Sequence, residues 1–170
     1  MPSSVAPAKS PKRPVLDESV QYLTCGVGDE TFAIQVAQVR EVLDICPFNR
    51  VPNLPPFVRG MIDVRGEAVP VIDLRIKFGM APAEITDSTR IMVLEVVVGT
   101  KSLVIGALTD RVFEVTALDS SDVAPPPDIG SHWRSEIIRG IGHCHGRFVI
   151  VLNLNRMFTM EDLMSTGECR

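Results

Sequence analysis

Between residues 20 and 36 the chain reads VQYLTCGV, then Gly-Asp-Glu, then TFAIQV. Short runs rich in β-branched and aromatic residues around a turn of this kind predict a β-hairpin. RIMVLEVVV and KSLVIGAL repeat the arrangement around Gly99-Thr100, and GMIDV and AVPVIDL flank the turn Arg65-Gly66-Glu67. The segment VAQVREVLD, residues 36–44, admits two readings. Val36, Val39 and Leu43 stand at helical spacing, while the β-branched content suits a strand or an irregular piece nearly as well. Prolines at 47, 52, 55 and 56 exclude regular structure from CPFNRVPNLPP, because each lacks an amide donor and has a fixed φ.

One phrase occurs twice. FVRGMIDVRGEAVPVIDL, residues 57–74, and IIRGIGHCHGRFVIVLNL, residues 137–154, agree at six positions: Arg59/Arg139, Gly60/Gly140, Gly66/Gly146, Val69/Val149, Val71/Val151 and Leu74/Leu154. Phe78 and Phe158 keep the same register, VREV at 39–42 is echoed by VFEV at 112–115, and a proline cluster at 125–127 again precedes the Arg-Gly phrase. The recurrence of hairpin, V-x-E-V, proline-rich link, R-G-x5-G and V-x-V-x-x-L in one order indicates internal duplication. Two copies are too few to stack as a solenoid, so short strands at this spacing predict two small β-barrels.

Composition narrows what such barrels can do. With 170 residues, 45% of them apolar, the chain holds enough material for a core. Lys9, Lys12 and Arg13 are the only charges before Asp17, so residues 17–170 carry 14 cations against 21 anions, net −7. That balance supplies no field to attract nucleic acid or an anionic membrane, and at 5% aromatic residues stacking platforms for bases are scarce. No apolar run reaches the length of a spanning helix, and the opening MPSSVAPAKSPKRP has no apolar signal region. A soluble, cytoplasmic protein is expected. Cys25, Cys46, Cys144 and Cys169 form no Cys-x-x-Cys pair, which suits a reducing compartment. Residues 1–18, rich in proline and small polar residues, are expected to be a disordered tail.

Catalytic strings are absent: there is no G-x-S-x-G, G-x-x-x-x-G-K-[ST], H-E-x-x-H or post-strand G-x-G-x-x-G. Asp63, Glu67 and Asp73 fit turns and strand ends better than an acid/base pair, and no enzyme activity or cofactor is expected. His143 and His145 alternate along a strand and would share a face, but two ligands do not complete a site and Cys144 overlays Val64, so no metal is expected there.

With those residues in hand, the chain resembles the CheW family of chemotaxis coupling proteins. The resemblance lies in GDETFAIQVAQVREVLD, in FVRGMIDVRGEAVPVIDLRIKFGM, in LNLNRMFTMEDL, and above all in P-x-F-x-x-G-x-x-x-x-R-G followed by V-P-V-I-D-L-R from Pro55 to Arg75. It implies a mainly β fold of two packed five-stranded SH3-like barrels with short helices, one of them near the C-terminus. The expected organisation is a CheW-like domain over 19–164, barrels at about 19–84 and 88–158 with strands possible to exchange between them, and a tail at 165–170. It also implies a non-enzymatic adaptor that couples the cytoplasmic tips of chemoreceptors to the regulatory domain of a CheA-type histidine kinase, in arrays beneath the inner membrane. The same scaffold in a non-flagellar chemosensory pathway, or a small-ligand sensor using the cleft between barrels, are the alternatives.

The resemblance further implies partner-binding roles for a close pair, Glu41 and Arg65, for the flanking Val39 and Val42, and for Ile91 and Met92 on a kinase-facing edge. His145 stands in the second phrase where Arg65 stands in the first, so this charge is not part of what the halves share. Periodicity alone puts one of the two valines in the core. Gly60, also in the candidate set, is shared by both halves and so reads first as a backbone requirement. Asp63 stands where relatives often carry asparagine, and its carboxylate is expected to compete with Glu41 for Arg65. Trp133 is expected to anchor the seam between the barrels.

Overall fold

The computed structural model describes residues 19–82, 84–125 and 137–158. The expectations for the terminal tails and for Trp133 lie outside these residues. Ten strands follow in order: β1 (Ser19–Val27), β2 (Glu30–Gln35), β3 (Val39–Asp44), β4 (Val58–Val64), β5 (Glu67–Asp73), β6 (Arg90–Val98), β7 (Lys101–Thr109), β8 (Arg111–Asp119), β9 (Ile138–Cys144) and β10 (Arg147–Leu152). Two four-residue helices, α1 (Leu74–Lys77) and α2 (Leu154–Met157), follow β5 and β10. The ambiguous segment resolves as a 3-10 turn at Val36–Gln38 running into β3, where half-buried and exposed side chains alternate as in an edge strand.

The strands form two five-stranded sheets, β8-β1-β2-β10-β9 and β3-β6-β7-β5-β4. Advancing every strand of one sheet by five positions in the chain generates the order of the other, so the duplication read from sequence is a duplication of topology. Neither sheet is a continuous half of the chain. The hairpin β1-β2 sits with β8, β9 and β10, whereas β6-β7 sits with β3, β4 and β5. Each exchanged hairpin is held on one side by the single parallel pairing of its sheet, which includes Val151 with Ala33 and Val71 with Gly106, and on the other by an antiparallel one, β1 with β8 and β6 with β3.

Each sheet closes on itself between its edge strands. After β3 the chain returns to β4 through a two-way bridge, the Asn49 amide donating to the Met61 carbonyl and the Met61 amide to the Asn49 carbonyl, both at 2.8 Å. After β8, Ala124 and Ile141 make the same reciprocal bridge at 2.8 Å. The repeated Arg-Gly dipeptide lies beside these bridges. A Cβ on Gly60, whose φ is +154°, would stand 2.8 Å from the Asn49 carbonyl oxygen; one on Gly140 would stand 2.6 Å from that of Ala124. The phrase recurs because both barrels need a strand without a side chain where the closing segment crosses it.

Strand alternation divides the apolar residues among three clusters. Along β6, Ile91 faces the interior of its own barrel with Ile62, Val69, Val71 and Leu108, while Met92, Leu94, Val96 and Val98 face the other sheet. Along β10, Val149 and Val151 point into the interior of their own barrel with Tyr22, Ala33 and Leu118, while Ile150 and Leu152 face the seam. The seam is the largest cluster, containing Leu23, Cys25, Val27, Phe32 and Ile34 from one sheet and Val58, Ile72, Ile105 and Ala107 from the other. A fully buried aliphatic side chain contributes about 1.5–3 kcal/mol, so the seam holds the barrels as one unit. Burial raises the Cys25 thiol pKa to about 12, with the Asp110 charge adding to it.

Candidate functional site

Asp110, in the turn between β7 and β8, ties the two hairpins together at the end of the seam. Its Oδ2 accepts from the Gly28 amide of the β1-β2 turn at 2.8 Å, and Arg75 of α1 grips both its oxygens at 2.8–3.2 Å. Burial alone would raise the Asp110 pKa, but the Arg75 and Gly28 hydrogen bonds and the Arg75 and Arg111 charges hold it below the ordinary value. The same partnership raises Arg75, so its charge is secure. In the β3-β6-β7-β5-β4 sheet, Arg59 pairs at 2.8 Å with the buried Asp73, whose other oxygen caps α1 by accepting from the Arg75 amide. These pairs are internal fixtures.

The Glu41–Arg65 pair is different. Glu41 lies on β3, one edge of its sheet, and Arg65 on the turn after β4, the other edge, so the pair spans the open seam of the barrel. The Arg65 Nη2 donates to Glu41 Oε1 at 3.0 Å, with the arginine side chain 78% exposed and the glutamate 26%. The turn fixes this direction: Arg65 has φ +54° and Gly66 φ +84°, and Asp63 Oδ1 accepts from the Gly66 amide at 2.8 Å. Asp63 is thus occupied by the turn, and the expected competition for the guanidinium is not what the geometry shows; Arg65 points to Glu41. Around the pair lies a groove of about 310 Å³ lined by Arg40, Val64, Glu67, Val93 and Val104. Arg40 stands 3.6 Å from Glu95 and 4.0 Å from Glu67, which places a second, looser set of charges on the same rim. The Ser102 hydroxyl, followed by the Arg40 charge, lowers the Glu95 pKa.

The other residues expected at the site separate by burial. Val42 is exposed beside the pair and Val39 is half-buried against the seam cluster, so one valine of the two serves the core. Gly60 is enclosed behind the closing bridge. Ile91 and Met92 have no exposed surface, one filling the barrel and the other the seam. The expectation of a partner edge at these two residues is corrected: β6 is an interior strand, so both its faces meet protein.

The edges of the other sheet carry a counterpart, in which sequence reasoning singled out His145 but not its partner Glu114. Glu114 of β8 occupies the place of Glu41 in V-x-E-V, His145 that of Arg65, and their Nε2 and Oε2 atoms lie 2.6 Å apart. His145 has φ +54°, the same value as Arg65. A groove of about 470 Å³ surrounds it, lined by Thr24, Thr31, Phe113, Cys144 and Arg147 among others. Val112, Phe113 and Val149 give its lining an apolar share, and Phe113 is exposed there. The recurring V-x-E-V was the available signal for Glu114. His143 and His145 do not share a face, because the left-handed turn ends the alternation at Cys144; His143 packs on the Phe148 ring at 4.6 Å.

Among the described residues no helix is long and apolar enough to cross a membrane. Residues 21–162 match the CheW-like domain. The chain is similar to the chemotaxis protein CheW of Rhizobium meliloti, 33% identical over 136 residues that make up 80% of this chain and 85% of that one. It is similar also to CheW of Klebsiella aerogenes, 27% identical over 84% of each chain, and to the protein FrzA of Myxococcus xanthus, 30% identical over 79% of this chain and 81% of that one. The crystal structure of the scaffolding protein TtCheW from Thermoanaerobacter tengcongensis shares the fold, with a TM-score of 0.74 at 24% identity over 84% of this chain and 94% of that one. Two five-stranded sheets built by one repeated topology, a repeated Arg-Gly phrase at their closures and a match over residues 21–162 make this protein a member of the CheW-like domain family.

Proposed function

We propose that the protein is a non-enzymatic chemosensory adaptor that couples chemoreceptor tips to the regulatory domain of a CheA-type histidine kinase, in the cytoplasm at receptor arrays. The family match over residues 21–162 carries this reading. The groove at Glu41 and Arg65 is the kinase-facing element, with Val42 as its apolar contact. An ion pair this exposed contributes about 0–1 kcal/mol to folding, so its geometry is available to a partner at little expense to the fold. Two barrels of one design present two similar, non-identical grooves. Pairing one kind of groove with the other kind on a related molecule is a heterologous contact, which closes into rings when the angle permits. Contacts of this type need only be modest, since simultaneous attachment multiplies their effect.

Calorimetric titration of the protein into the regulatory domain of a CheA-type kinase from the same cell tests the reading. Binding is expected, with Arg65→Ala and Glu41→Ala each weakening it about tenfold, or ~1.4 kcal/mol, while the circular dichroism spectrum stays unchanged. Absence of binding to any such domain would sink the adaptor function and leave the fold standing. Normal binding by both variants would move the kinase contact away from this groove.

A further inference from the structure

Glu114, Cys144 and His145 converge where the edge strands β8 and β9 face each other across the open seam. Their ligating atoms all lie within 4.8 Å of one another, and among the described residues this is the group of three such donors that does so. We propose that these three side chains form a zinc(II) site that clasps the seam of the second groove, with water at the fourth position.

The duplicated architecture supplies the comparison. In the first groove the equivalent positions hold Glu41, Val64 and Arg65, of which only the glutamate can ligate a metal. Both changes in the second groove run toward coordination, valine to a thiol and arginine to an imidazole, on a backbone that keeps the same left-handed turn at φ +54°. A hydrophobe-to-cysteine change beside an arginine-to-histidine change has no use in closing the barrel, because the first barrel closes without either. An N, S, O donor set suits zinc among the divalent ions. Zinc distances of about 2.0–2.3 Å to such atoms require the imidazole and carboxylate, now 2.6 Å apart, to separate slightly around the ion. Glu114 and His145 side chains are 51% and 74% exposed, so both have room to move. The Cys144 thiol, half-buried, donates to the Thr116 hydroxyl at 3.7 Å. On metal binding the thiol loses its proton and the threonine hydroxyl turns to donate to the sulfur, an outer contact of the kind that orients thiolate ligands. His143, held on Phe148, takes no part.

Cobalt(II) titration of the full chain, tag-free and reduced, reads the site directly. One equivalent is expected to bind, with a thiolate-to-cobalt charge-transfer band and the d–d intensity of a four-coordinate ion, and zinc should displace it. The double variant Cys144→Val, His145→Arg copies the residues already seated in the first groove and therefore folds; it should lose the band and bind zinc at least about 100-fold more weakly, whereas Glu114→Gln should keep the band and weaken affinity about 10-fold or more. The reverse variant Val64→Cys, Arg65→His should take up a second equivalent, since Glu41 is already in place. The proposal is overturned if wild type shows no thiolate band, if the band survives Cys144→Val with His145→Arg, or if the reverse variant binds one equivalent only.

Discussion

Replacing Gly60 by alanine puts a single methyl group at the closure of one barrel, and the structure resolves its cost into parts. The backbone there has φ +154°, a region L-residues rarely adopt, and the new Cβ would meet the Asn49 carbonyl oxygen at 2.8 Å and the Phe48 Cβ at 2.9 Å. Both neighbours belong to the closing segment, and the carbonyl is the one that accepts from the Met61 amide at 2.8 Å. The chain cannot give way without loosening that reciprocal bridge. Backbone strain of this type costs about 1–3 kcal/mol, and forced overlap in a packed region about 1–3 kcal/mol more, so Gly60→Ala should destabilise by roughly 2–6 kcal/mol. The chain holds its own controls. Gly66 has φ +84° but nothing within 4 Å of a new Cβ, so Gly66→Ala isolates the dihedral cost, about 1–2 kcal/mol. Gly140 lacks a positive φ but would crowd the Val123 Cγ1 at 2.5 Å and the Ala124 oxygen at 2.6 Å, so Gly140→Ala isolates the overlap, about 1–3 kcal/mol. Urea unfolding followed by circular dichroism gives all three values. If Gly60→Ala proves no worse than Gly66→Ala, the closing bridge is not rigid and the reason given for the repeated Arg-Gly phrase is wrong.

Ile91→Ala and Met92→Ala, both at fully enclosed positions, should each cost about 2–5 kcal/mol in the same assay; a change below 1 kcal/mol would contradict their place in the core. Asp110→Asn should lower stability at pH 7 by roughly 1–2 kcal/mol, a partly exposed pair being worth less than a buried one. Because Asp110 is held below its ordinary value of 3.8, its contribution is complete above that pH and is lost as pH falls through the lower, folded value. Stability of the variant should therefore fall less steeply than wild type below about pH 4, and parallel acid limbs for the two proteins would refute this. In protein stripped of metal by a chelator, alkylation at pH 8 should label Cys46 and Cys144 while sparing Cys25, which burial raises to about 12; early labelling of Cys25, detected by peptide mass spectrometry, would mean that the packing between the two sheets opens.

Much of the architecture was legible in residue order alone. Alternation, Gly-Asp and Arg-Gly turns and proline clusters are local, and a strand or turn answers to its own few residues, so hairpins, links and duplication could be read directly. The resemblance added the five-stranded SH3-like form of the barrels and the Glu41–Arg65 pair, which the structure finds 3.0 Å apart. The exchange of hairpins between the two sheets, the burial of Ile91 and Met92 and the meeting of Glu114 with Cys144 and His145 were decided only by the tertiary structure. The run RIMVLEVVV is apolar on both faces, and periodicity cannot say whether such a strand lies inside a sheet or at an edge; pairing with β3 on one side and β7 on the other settles it. His143 and His145 look like facing neighbours to a period of two, but a left-handed turn at His145 breaks the period and hands that side chain to Glu114, 31 residues away in the chain. Local patterns report which way a strand alternates. Which edge meets which, and so which side chains share a groove, depends on closing the barrel, a long-range event that no short stretch encodes by itself.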